Sequence, residues 1–239
     1  MKRVFILLYI LLISITFCFS QNRFSDDAMM RKIYTLEYER KSDSLVVFLK
    51  SESQKYSYAA IKSMASVQDT TVADKLLQML IAEKVDSIKT AIIYSLSQLD
   101  CNASFFGILA YESACTSSSI KWACLEAIGK VSKHDLTDFF IKKFKANAKP
   151  EQIFISNWLK GLYLSKRRKN IDLYKDNEQL LKCLNTIIDQ HLGRTDEVNY
   201  YYSKIINQPA VANPNQIKIP LNNLANVDRK STRLNSSHQ

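Results

Sequence analysis

The chain repeats itself every 32 residues, and no other feature restricts its fold as much. Three segments superpose at that shift, beginning at Tyr56, Ile88 and Ile120. Ala59, Ala91 and Ala123 align, as do Ser63, Ser95 and Ala127, then Met64, Leu96 and Ile128. Ala65, Ser97 and Gly129 form a further column of small residues, followed by Val67, Leu99 and Val131. Small residues at i and i+4 beside large apolar ones describe a helical face on which another helix lies close.

The second half of each unit repeats with the same shift. Leu45, Leu77, Leu109 and Ile141 align, as do Leu76, Ile108 and Phe140, and then Phe48, Leu80, Glu112 and Phe144. Ala73, Leu76, Leu77 and Leu80 trace the stripe of an amphipathic helix. Glu112 interrupts its column, so the second helix of that unit is expected to fray or tilt there. Composition agrees with helices joined by short turns: the chain has only four glycines and four prolines, and none of the prolines precedes Pro150. A helix pair of this kind cannot bury its apolar face alone, and stacking its neighbours supplies the core. The expected fold is all-α, a right-handed α-solenoid of antiparallel helix pairs.

Two other helical repeats fail on motif. The tetratricopeptide pattern of Trp, Leu-Gly, Tyr and a closing Pro is absent, and so is the ankyrin Thr-Pro-Leu-His. The run from Ile120 to Val131, IKWACLEAIGKV, resembles the first helix of a short HEAT repeat, and the resemblance covers residues 54–146. Looser pairs are expected at about 26–50 and 150–191, with a last helix near 196–207. Trp158, Gly161 and Leu162 keep part of the pattern in the fourth unit, and Ser165–Asn177 lengthens its inter-helix loop.

The two ends read differently. Lys2-Arg3, an apolar run from Val4 to Phe17, and Cys18 and Ser20 at the −3 and −1 places of a cut before Gln21 have the form of a signal peptide over residues 1–20. Its apolar run is too short to span a membrane. The alternative, a lipoprotein cut before Cys18, meets Phe17 where a small residue is wanted. Residues 21–207 form the HEAT-like domain, and 208–227, with Pro209, Pro214 and Pro220, an incomplete last unit or linker. Residues 228–239, DRKSTRLNSSHQ, resemble a translated sequencing adapter, so the natural chain is expected to run past Val227.

The formal net charge is +10; each of these end segments contributes +2, leaving a mildly basic +6. That surplus, in an exported chain, does not point to nucleic acid. Cys101, Cys115, Cys124 and Cys183 remain after export, without CxxC spacing, and leave three disulfide pairings open. Cys124 falls at a position the repeat buries. No GxSxG, HExxH, P-loop or GxGxxG occurs, so no catalytic residue, cofactor or metal is expected. His134 reads as a turn or cap residue, His191 as a helix-end imidazole, and Asp26, Asp27 and Asp43 as helix-start residues. Lys166-Arg167-Arg168-Lys169 reads as a solvated loop between helices, with an electrostatic patch as the alternative.

With the aligned leucines facing the core, Val47, Met79, Tyr111 and Lys143 stack in one row on the second helices, with Phe106 and Phe139 nearby. HEAT-like solenoids turn these helices to the concave side, so the row is a candidate groove for other proteins or exported polypeptides. The alternative is deeper packing of the same residues.

Phe24–Tyr34, Ala65–Ala73 and Asn157–Tyr163 together resemble a family of exported bacterial proteins that carry HEAT repeats before a cyclophilin-type peptidyl-prolyl isomerase domain. The cyclophilin signature itself is absent, so no catalytic residue carries over. The resemblance implies that this chain is the recognition or spacer arm of an enzyme encoded further on, and the signal peptide gives a periplasmic or cell-envelope location as the expectation. The reading from the residues alone is a non-catalytic protein-binding scaffold.

Overall fold

In a computed structural model of the chain, residues 27–167, 177–190 and 195–206 are described. Among them are eleven α-helices and no strand: α1 (Ala28–Tyr38), α2 (Ser42–Leu49), α3 (Gln54–Val67), α4 (Ala73–Ala82), α5 (Asp86–Gln98), α6 (Asn102–Ala114), α7 (Ser118–Val131), α8 (Thr137–Lys145), α9 (Gln152–Arg167), α10 (Glu178–Asp189) and α11 (Asp196–Ile206). The fold is all-α. The chain divides between Val67 and Gln68 into two compact units. The signal-peptide, lipid-anchor and adapter readings, residues 208–227, Asp26 and His191 lie outside the described residues.

In the first unit α1, α2 and α3 pack mutually around Ile33, Leu45, Ile61 and Met64, all fully buried. Asp27 starts α1, its carboxylate accepting from the Met29 and Met30 amides at 3.1 and 3.0 Å. Lys55 on α3 reaches the same carboxylate at 2.6 Å and ties the two helices together. After α1 the backbone turns through a left-handed residue, Arg40 (φ 55°). Its guanidinium donates to the Val67 carbonyl at 2.6 Å, satisfying one of the acceptors that the end of α3 leaves open.

In the second unit the helices pack in two files. α5 lies on α7, α7 on α9 and α9 on α11, while α4 lies on α6 and α8 on α10. Across the files α4 packs on α5, α6 on α5 and α7, and α8 on α9. The α7–α9 contact is the most extensive, and two glycines make it possible. A Cβ on Gly129 would collide with the Gly161 carbonyl, and one on Gly161 with the Leu125 carbonyl, so these backbones approach as only glycine allows. Gly161 lies 32 residues after Gly129 and extends the small-residue column.

Beside this junction sits an aromatic core. Trp158 and Phe140 are fully buried, and the indole Nε1 donates to the Phe140 carbonyl at 2.7 Å. Phe144 lies 5.0 Å from the Trp158 ring and 6.3 Å from Phe154. On the outside of the file, Lys160 on α9 pairs with Glu126 on α7 at 2.9 Å and lies 5.9 Å over the Tyr201 ring of α11.

Several sequence expectations meet the structure differently. Ala59 and Ala91 are buried, but Ala123 on α7 is only half-buried. Glu112 does not fray its helix: α6 runs on to Ala114 with Glu112 inside it. The inter-helix loop begins later than Ser165, since α9 continues through Arg167. Lys166 is therefore no solvated loop residue. It is only 3 % exposed, its Nζ 3.7 Å from an Asp135 carboxylate that also accepts from the Thr137 amide and hydroxyl.

Candidate functional site

The repeat fixes which faces of the second helices are free. In the second unit Leu76, Ile108 and Phe140 are wholly buried, whereas in the neighbouring column Leu77 and Leu109 are half-buried and Ile141 is buried. The core-facing column thus lies one residue before the leucine column that orients the row in sequence. One residue is about 100° of helix rotation. The exposed column accordingly becomes Gln78, Ala110 and Lys142, and Met79, Tyr111 and Lys143 sit half-buried at the flanks. Leu77 turns toward α6, against Gly107. In the first unit Leu45 is itself buried and Val47 stays open, 74 % exposed.

Around Tyr111 and Lys143 the flanks form a polar cluster. Lys143 Nζ donates to Glu112 Oε1 and Oε2 at 2.6 and 2.5 Å, joining α8 to α6. The carboxylate is 3 % exposed and the ammonium partly open, lying 5.3 Å over the Phe139 ring. Lys143 is thus occupied by an internal partner, and Phe139 stacks edge-on against buried Phe140 at 5.3 Å. Burial raises the Tyr111 hydroxyl above its ordinary pKa, with Cys115 and Cys124 adding to the effect. Burial, then the Glu112 carboxylate and Cys115, push the Cys124 thiol far up, against an opposing pull from Lys143. A thiol held protonated and shut from solvent is a poor nucleophile. The groups in this cluster satisfy one another rather than offering an acid, base or nucleophile to a substrate.

Outside the cluster two large apolar side chains stand open, one on α6 and one on α4. Phe106, Ala110 and Ser113 follow i, i+4, i+7 along α6 and are all exposed, Phe106 to 56 %. Near the end of α4, Ile81 is 75 % exposed. Of the candidate row, Val47 lies in the first unit, and Lys143 lies over the Phe139 ring.

Compared with known protein families, curated proteins and solved structures, the chain matches none. The remaining candidates fall in ordinary structural places. His134 is exposed in a turn closed by Ser132, whose hydroxyl accepts from the His134 amide and donates to its carbonyl, both at 3.0 Å. The four cysteines named above are free thiols, Cys124 and Cys183 buried. Among the described residues no cluster of three or more His, Cys, Asp or Glu side chains is arranged to hold a metal ion, and no helix is long and apolar enough to cross a membrane. Two site residues escaped sequence reasoning. Ile81 carried the signal of lying four residues after Leu77 on the free side of its stripe. Glu112 read as a defect because its partner lies 31 residues on, in the next unit.

Proposed function

We propose that this chain is an exported, non-catalytic scaffold, a right-handed HEAT-like α-solenoid that holds other polypeptides on the open face of its second helices. The observation that carries the reading is the exposure of large apolar side chains, Ile81 and Phe106, on α4 and α6, which pack against each other. The file α5, α7, α9 and α11 in the second unit, each helix packed on the next member of the file, supports a stacked architecture. The 32-residue columns extend the same reading to the first unit, and the amino-terminal residues support export.

Fluorescence anisotropy with a labelled, permanently unfolded polypeptide tests the reading. Saturable binding is expected, weakened at least fivefold by Ile81→Ser with Phe106→Ser, since truncating a central apolar anchor costs more than about 1 kcal/mol. Both residues are open to solvent, so helical content by circular dichroism should hold. Absence of binding, or binding that the double variant leaves unchanged, overturns the proposal.

A further inference from the structure

We draw no further inference here: the strongest candidate, the exposed ridge of Phe106, Ala110 and Ser113 on α6 with Ile81 on α4, belongs to the surface already described, and nothing in the structure shows which partner covers it.

Discussion

The junction between α7 and α9 and the junction between α6 and α8 join neighbouring repeats by different physics. In the first, side chains are absent at the point of contact: Gly129 and Gly161 let two backbones meet, and Trp158 and Phe140 fill the space beside them. In the second, the helices are linked through the Glu112–Lys143 ion pair. Close backbone contact is unforgiving of volume, because packed interiors relax little. An ion pair tolerates volume but not the loss of one partner, because a buried charge left alone costs far more than the pair returns. The comparison teaches that the two files of the second unit fail under different insults.

The largest expected effect follows from volume. Gly129→Val should destabilise the second unit by roughly 3 kcal/mol or more, and Gly129→Ala by less, because overpacking against a backbone carbonyl cannot be relieved by a rotamer change. Urea unfolding checks this through the midpoint at constant slope. A neutral Gly129→Ala would mean that α7 and α9 do not meet there.

At the polar junction, Lys143→Met should cost roughly 2–3 kcal/mol by stranding the Glu112 carboxylate, somewhat below the range for a fully buried pair because Lys143 is partly open. Glu112→Leu with Lys143→Met should recover most of that loss. A double variant as unstable as the single one would show that the pair does more than neutralise itself.

How far the fold was legible can be argued from these residues. The helices and their columns were readable because 32-residue periodicity and 3.6-residue stripes are independent signals that agreed. The rotation of the second helices was not, since Leu76 and Leu77 are equally apolar and only the packed neighbour decides which goes inside. Glu112 was misread because a single helix gives no hint of a cation arriving from the following unit. Turn chemistry was hidden as well. Gln68 and Asp100, one period apart, both adopt left-handed backbone (φ 57° and 49°) after α3 and α5, yet neither is the glycine that would announce it.

Those turns give a smaller effect of opposite sign. Asp100→Gly should raise stability by up to about 1 kcal/mol, relieving the left-handed penalty at some cost in chain entropy. Thermal melting checks it, and a lowered midpoint would mean that the Asp100 side chain contributes more than its backbone loses.

The smallest effect belongs to the first unit. Lys55, then the helix-start amides, hold the Asp27 carboxyl below its ordinary value near 3.8. Its contribution is therefore present above that pH and lost as pH falls through the lower folded value. Asp27→Asn should lower stability slightly near neutrality, converge with the parent in acid, and so flatten the acid limb of a stability profile below about pH 4. An unchanged acid limb would remove Asp27 as its source.

The glycine junction also bears on how closely helices are spaced. Helices that meet backbone to backbone lie closer together than helices held apart by side chains. Along the second unit this column runs Ser97, Gly129, Gly161. Adding one methyl group at Gly129 or Gly161 would push α7 and α9 apart from within, leaving every outward-facing residue of the two helices chemically unchanged.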